Sequence, residues 1–573
     1  MEMMARYHPL PLKVANSKFT WLKNNNLLRR NIRMNQFLNS LGQKNCKTWN
    51  GAISNSTSGV TTLDYFAKCG SYRGRSIPEV NSDMGAIFGS DPLTAMQIVF
   101  YNRMITRKAK GFSHTCDSVQ RGQGQKDEFV KSLAWLENNY PDTLYKNIWL
   151  VPIVGSWKDL WYDSAASKFH YYIEPKKVYG LIRVGLQSEY HRALIAKYLP
   201  KIRSRRNIKN DRHRRLNAWA RGLCEHLGWS EADYRKFKSA PENSAHTFQR
   251  LMCAGNWDSL DFNTVSGKAL FNLLSQKGKD HKNVIERHGL DKKYLEWIKT
   301  QPVAKFTGYP YELFMAAKGN RTLMEKFTYD AQFEGLLKTA TNSVAPELLE
   351  KGVLCALDTS GSMGYMGHYG NSTSVQPIDI CVGLGIYFAS LLKGHFHNHV
   401  IMFDDNSRFL RLNGDSFCNK VDQIANAETA WGSTNFQSVI DEIVRVRTSN
   451  PSIPISDFPE VLLVVSDMQF NPTGSNNTNY EHAMRKLRAV GLPDMTIIWW
   501  NVNGRFSGDV PSTNQDPGTV LISGFDGAIV TSILGGMEEV VDEKTGEKRK
   551  PTPEEVMQKA LDQEILNRIT NGA

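Results

Sequence analysis

The sequence predicts a multi-domain chain in which an all-α array of helical repeats precedes an α/β, doubly wound domain. Three observations predict it. Apolar residues recur at helical spacing from about residue 48 to 345; short apolar runs ending in Asp or Ser-Asp then alternate with helical stretches; and the charge changes sign between the two parts. Residues 1–345 carry 53 Lys and Arg against 29 Asp and Glu, a net +24, whereas residues 346–573 carry 17 against 28, a net −11. A length of 573 residues leaves room for several domains of about 100–200 residues each. Hydrophobic residues at 41 %, with 43 Gly and 22 Pro, exclude collagen-like, low-complexity and largely disordered chains. The expected divisions are a basic arm at 1–47, the helical domain at 48–345, the α/β domain at 346–536 and a tail with one helix at 537–573.

In the arm, nine Lys and Arg face one acid, Glu2. Ser and Ala are sparse and no small-residue cleavage pattern stands out, so it reads as a basic arm that touches RNA or packs on the body, with a transit segment as the alternative. The helical part has segments at Thr61–Ala67, Pro92–Arg107, Asp127–Asn138, Tyr190–Leu199, Arg212–Leu227, Lys268–Ser275, Lys293–Ile298 and Tyr311–Lys318, separated by loops with Gly, Asn or Pro. Their shortness and number favour a solenoid or multi-helix array over one bundle, although no fixed period recurs.

Three basic clusters mark this part. Lys201, Arg203, Arg205, Arg206, Lys209, Arg212, Arg214 and Arg215 are interrupted by a single acid, Asp211. Arg103, Arg107, Lys108 and Lys110 run off a helix end into Gly111, and Arg121-Gly122-Gln123-Gly124-Gln125-Lys126 mixes donors with glycines that permit close backbone approach. Such clusters attract nucleic-acid phosphates through Coulomb energy and counterion release without reading sequence; the alternative is a solvated face. Trp149, Trp157, Trp161, Tyr171 and Tyr172 lie near in sequence, and bases stack on such rings where they are exposed, although core positions are the commoner fate.

The acidic part opens with Val353–Leu357, an apolar run expected of a strand buried on both faces, ending at Asp358-Thr359-Ser360-Gly361-Ser362. A second run, Val461–Val465, ends at Ser466-Asp467, and a third spans Thr496–Trp500, with helical stretches near 377–392, 434–447 and 480–490. In such sheets ligands sit beyond the carboxyl ends of the strands, where Asp358 and Asp467 fall. Two carboxylates with the hydroxyls of Ser360, Ser362 and Thr434 form an all-oxygen set suited to a hard divalent cation, Mg²⁺ first. Asp404-Asp405 follows an edge-like strand, Val400–Phe403, and reads as a turn. His395, His397 and His399 share a face in an extended chain but lead into that strand, where polar side chains ordinarily meet solvent.

Other chemistry is not encoded. There is no H-E-x-x-H, no phosphate-binding G-x-x-x-x-G-K-[ST] and no G-x-S-x-G, and the loops offer no general base beyond the expected ligands, so no enzyme activity is expected. The eight Cys (Cys46, Cys69, Cys116, Cys224, Cys253, Cys355, Cys381, Cys418) form no C-x-x-C pair, which fits a reducing, cytoplasmic setting. No apolar run of 18 residues or more argues for a membrane partner.

The set Asp358, Ser360, Ser362, Thr434 and Asp467 resembles the metal-ion-dependent adhesion site of von Willebrand factor A domains. That resemblance implies binding: the cation keeps one position open for an acidic group of a partner protein. The whole chain, a basic helical half followed by such a domain, resembles the Ro autoantigen ribonucleoprotein family, whose TROVE module of HEAT-like repeats forms a ring closed by the A domain. It is more similar still to a related uncharacterised family from plants, fungi, large viruses and phages. The marks are Thr48-Trp49-Asn50-Gly51-Ala52, Leu63-Asp64-Tyr65-Phe66, Arg121–Lys126, Gly155-Ser156-Trp157-Lys158-Asp159-Leu160 and Ser466-Asp467-Met468-Gln469-Phe470. The resemblance implies binding of structured or single-stranded noncoding RNA. The alternative function is a Mg²⁺-dependent protein-interaction scaffold, such as a virion or assembly component.

Overall fold

The computed structural model describes residues 46–112, 117–163, 169–244, 248–342, 345–364, 375–427, 432–504, 509–542 and 545–571. The basic arm up to residue 45, and Cys116, lie outside the described residues.

Helices dominate from residue 61 to 341. Each begins where local chemistry permits. Ser76 and Glu79 form a reciprocal capping box before the helix Ile77–Ser90, Asp91 accepts from the amides of Leu93 and Thr94 before Pro92–Arg103, and Thr322 with Glu325 starts the longest helix, Leu323–Thr341. Expected segments form at Thr61–Cys69, Asp127–Asn139, Glu189–Tyr198, Asp211–Leu227, Gly267–Ser275, Asp291–Lys299 and Pro310–Ala317. Helices at Ile77–Ser90, Pro141–Asn147, Pro175–Gly185, Glu231–Ser244, Phe248–Cys253, Val284–Arg287 and Leu323–Thr341 lie outside the expected segments. The segment expected at Pro92–Arg107 stops at Arg103, because Arg107–Ala109 pairs antiparallel with Ser118–Gln120 and the Gln120 amide donates to the Ile105 carbonyl at 3.0 Å.

Two short strands, β1 (Cys46–Lys47) and β2 (Ile53–Ser54), form a hairpin ahead of the helices. The α/β part is a six-stranded sheet of β3 (Val353–Asp358), β4 (His399–Phe403), β5 (Ser407–Arg411), β6 (Val461–Ser466), β7 (Thr496–Asn501) and β8 (Thr519–Ser523). Its order is β8-β7-β6-β3-β4-β5, parallel except for β5, which runs antiparallel to β4. β3, β6, β7 and β8 are buried at every residue, which is why the first three read as unbroken apolar runs. The expectation of an edge strand at Val400–Phe403 is corrected: β4 is paired on both sides, and the edge is β5, whose two Arg disguise it in sequence.

One hydrophobic core runs without interruption from Leu63 of the first helix through the sheet to Ile569, and a smaller second core gathers around Leu270, Leu274, Tyr294 and Ile298. The two halves are in close contact. Gly70 N donates to Ser523 Oγ at 2.9 Å, the Gln123 amide donates to the Ser523 carbonyl at 2.6 Å, and the Arg73 guanidinium lies 4.0 Å over the Phe525 ring. Helix Pro310–Ala317 packs on helix Pro377–Leu391 so closely that a Cβ on Gly383 would lie 2.6 Å from Tyr311 Cα. The tail folds back on both halves: helix Pro553–Leu561 touches β8 and helix Thr61–Cys69, and Thr570 N donates to Asn147 at 3.0 Å. No helix among the described residues is long and apolar enough to cross a membrane.

Candidate metal centre and basic surface

Three loops at the carboxyl ends of β3 and β6 and ahead of helix Gln437–Ser449 bring the five expected oxygen donors together. Asp358 closes β3, and its Oδ1 accepts the Ser360 amide at 2.9 Å, turning the chain back so that Ser360 Oγ and Ser362 Oγ lie 3.3 Å apart. Gly361 N donates to the Gly432 carbonyl at 3.0 Å, tying this loop to the one that carries Thr434. That second loop is held in turn by Asp405, which accepts from Ser433 N at 2.8 Å and Ser433 Oγ at 2.6 Å. These bonds hold the Asp405 carboxyl below the usual carboxylate range. The pair read as a simple turn thus positions the loop, and Asp404, buried and bridged to Arg408, accepts Asn435 N through its carbonyl at 2.8 Å.

The third loop follows β6. Ser466 Oγ donates to Asp358 Oδ2 and accepts Met468 N at 2.9 Å, while Asp467 Oδ1 accepts Gln469 N at 3.2 Å. Met468 adopts φ +65, a left-handed conformation uncommon for its side-chain type, inside this loop. Asp358, Ser360, Thr434 and Asp467 are buried and Ser362 is exposed, so the cluster meets solvent at Ser362. Burial, and then the charge of Asp467, push the Asp358 carboxyl well above its ordinary value; burial also raises Asp467, against a hydrogen bond from Ser362. Asp467 Oδ2 is buried without any hydrogen-bond donor. Two repelling carboxylates, one oxygen unsatisfied, and three hydroxyls in one cleft form an all-oxygen cluster of the chemistry that suits a hard divalent cation.

Among the described residues no three His, Cys, Asp or Glu side chains gather into a metal-holding group. The cleft above draws its remaining oxygens from Ser and Thr. His397 and His399 are engaged with nearby backbone carbonyls of Leu392 and His397.

The structure divides the basic residues. Lys201, Arg205, Arg206 and Lys209 are exposed and pair with no carboxylate among the described residues; Arg214 is exposed and bridged to Asp211. Arg212 and Arg215 converge instead on the buried Asp163, at 3.4 and 3.0 Å, and Arg203 is half-buried. Lys108 and Lys110 are exposed. Arg103 is corrected from a surface cation to a core residue: it is 4 % exposed and bonded to the fully buried Asp159 at 2.7 Å. Arg107 donates to the carbonyls of Ile153 and Gly155, both at 3.0 Å, which fixes it to the body. Lys126 leans toward Asp159 at 3.7 Å, and Arg121 is tied through its backbone to Gln563. Of the aromatic residues, Trp157 and Trp161 are buried, whereas Trp149, Tyr171 and Tyr172 are half-buried against the core, with Tyr172 donating to Asp163 at 2.7 Å.

The glycine loop lines a cavity of about 230 Å³ together with Tyr72, Arg73 and Tyr309. Sequence reasoning missed these three, since only the fold brings residues 72 and 309 to the same loop.

Fold and site together define a protein with a basic helical half and an α/β half whose strand ends carry a hydroxyl–carboxylate cluster. Residues 353–565 match a domain of unknown function, DUF7788. Over 531 residues the chain is 23 % identical to uncharacterized protein L728 of Acanthamoeba polyphaga mimivirus, the match covering 86 % of this chain and 85 % of the viral protein.

Proposed function

We propose that the protein is a non-enzymatic RNA-binding protein of the cytoplasm, built as a HEAT-like helical module joined to a von Willebrand factor A-like domain and similar in design to Ro-type ribonucleoproteins. The observation that carries this reading is the exposed set Lys201, Arg205, Arg206 and Lys209, flanked by Arg214, on a half-chain of net charge +24. Unpaired surface cations at this density offer phosphates a site at little desolvation cost. The ligand class is structured or single-stranded noncoding RNA. In the α/β half, Asp358, Ser360, Ser362, Thr434 and Asp467 are the residues that would hold Mg²⁺ or another divalent cation, whose charge would relieve the repulsion between the two carboxylates.

The test is RNA binding by the full chain at graded salt, beside a variant with Lys201, Arg205, Arg206, Lys209 and Arg214 replaced by Ala. The expected result is affinity falling steeply with salt, with the slope reduced by roughly 3–4 in the variant, at about 0.7 per lost phosphate contact. Affinity flat in salt overturns the proposal. A second reading, a Mg²⁺-dependent protein-interaction scaffold, is favoured by one observation: Trp49, 84 % exposed, stands beside the cation cluster. Asp358→Ala separates the readings, since it abolishes partner binding in the scaffold and leaves RNA affinity nearly intact in the RNA binder.

A further inference from the structure

The loop of the β1–β2 hairpin, more than 380 residues away in sequence, sits on the cation cluster. Thr48 Oγ1 donates to the Phe470 carbonyl at 2.6 Å, and Trp49 N donates to Gln469 Oε1 at 2.7 Å. Asn50 Nδ2 donates to the Gln469 carbonyl at 2.5 Å and reaches Thr434 Oγ1 at 3.3 Å. The loop is built for this. Gly51 N returns to the Thr48 carbonyl at 2.9 Å, Ala52 N donates to Thr48 Oγ1 at 3.0 Å, and Gly51 takes φ +89, a conformation that side-chain-bearing residues rarely adopt. Behind it, Asn55 N and the Val510 carbonyl, and Val510 N and the Asn55 carbonyl, exchange bonds at 3.3 and 2.8 Å. Two short sequence marks, Thr48–Ala52 and Ser466–Phe470, thus meet at one place.

We propose that Asn50 is a positioning residue of the cation site, and that cation binding in the α/β half is coupled to docking of the hairpin at residues 46–54. This rests on the cation reading given above. A threonine hydroxyl has two lone pairs; with one accepting the Asn50 amide proton, the other is directed to a metal. The same amide group holds the carbonyl of Gln469, two residues after Asp467, so a single side chain fixes the relative placement of the second and third loops. Groups that hold ligands from outside in this way change metal affinity by about 10–100-fold when removed. Linkage makes the effect reciprocal: whatever the docked hairpin adds to cation affinity, the cation adds to hairpin docking.

The experiment uses the full chain, with Mg²⁺ binding measured by calorimetry and backbone hydrogen exchange of residues 46–58 followed with and without Mg²⁺. The wild-type protein is expected to bind Mg²⁺ and to show slower exchange in this segment when it does. Asn50→Ala is expected to weaken Mg²⁺ binding by at least about tenfold and to remove the Mg²⁺-dependent protection. Thr48→Val, which loses the Phe470 bond without touching Thr434, weakens binding in the same direction and covers the case in which Asn50→Ala misfolds. Wild-type Mg²⁺ affinity in both variants, with protection intact, overturns the role of Asn50 and leaves the cation site standing. No Mg²⁺ binding by the wild-type protein overturns the cation site and this proposal with it.

Discussion

Asp467 exposes the central tension at the residue scale: its carboxylate is buried beside that of Asp358, and one oxygen has no donor. Asp467→Asn removes one of two repelling charges. Without divalent cations the variant should be more stable to urea by about 1 kcal/mol, the size of roughly one pKa unit of relieved repulsion with Asp358. In excess Mg²⁺ the order reverses, because only the wild-type gains binding energy, about 2.7 kcal/mol at a hundredfold excess over Kd. A second acid, the half-buried Asp526, works through pH alone. Burial pushes Asp526 up to about 6 although it accepts Ala528 N at 3.0 Å. An unfolded Asp titrates near 4, so between about pH 4 and 6 the unfolded chain loses a proton that the folded chain keeps. Stability therefore falls as pH rises through that window, by up to about 3 kcal/mol at about 1.4 per unit. Asp526→Asn, which keeps the acceptor, should flatten that segment of a stability–pH curve measured by urea unfolding.

At the scale of elements, the contact between helices Pro310–Ala317 and Pro377–Leu391 decides how the halves join. Gly383→Ala would gain up to about 1 kcal/mol in helix propensity. Its Cβ would however meet Tyr311 Cα at 2.6 Å, and backbone cannot turn aside as a side chain can. Overpacking of this kind costs about 1–3 kcal/mol, so a net loss of stability is expected on thermal unfolding, and a gain would show that the helices separate readily. Legibility follows the same physics. Strands β3, β6 and β7 announce themselves because both faces are buried, whereas β5 is hidden by Arg408 and Arg411 at the sheet edge. Helix Leu323–Thr341 was missed for a related reason: it buries residues on several sides, including Glu325, Thr328 and Gln332, so no apolar stripe stands out.

At the scale of the whole molecule, one core threads both halves. Helix Thr61–Cys69 covers β8 and helix Pro310–Ala317 covers Pro377–Leu391, so an excised fragment 346–573 would expose both faces. The full chain should therefore give one calorimetric transition, and that fragment should not fold to a soluble monomer; two separated transitions would contradict a shared core.

The helical and α/β halves, the acid-ended strands and the residues of the hydroxyl–carboxylate cluster are legible in the linear pattern, because these rest on local periodicity and on residues close to strand ends. The charge contrast is legible there as well, since charge is a property of composition. Packing between distant segments decided which cations stay unpaired: Arg103, Arg212 and Arg215 look identical to Arg205 in sequence, but Asp159 holds Arg103 in the core and Asp163 pairs Arg212 and Arg215 while they stay partly exposed. It alone placed Asn50 on Thr434, because a contact across 384 positions leaves no trace in either segment's own pattern.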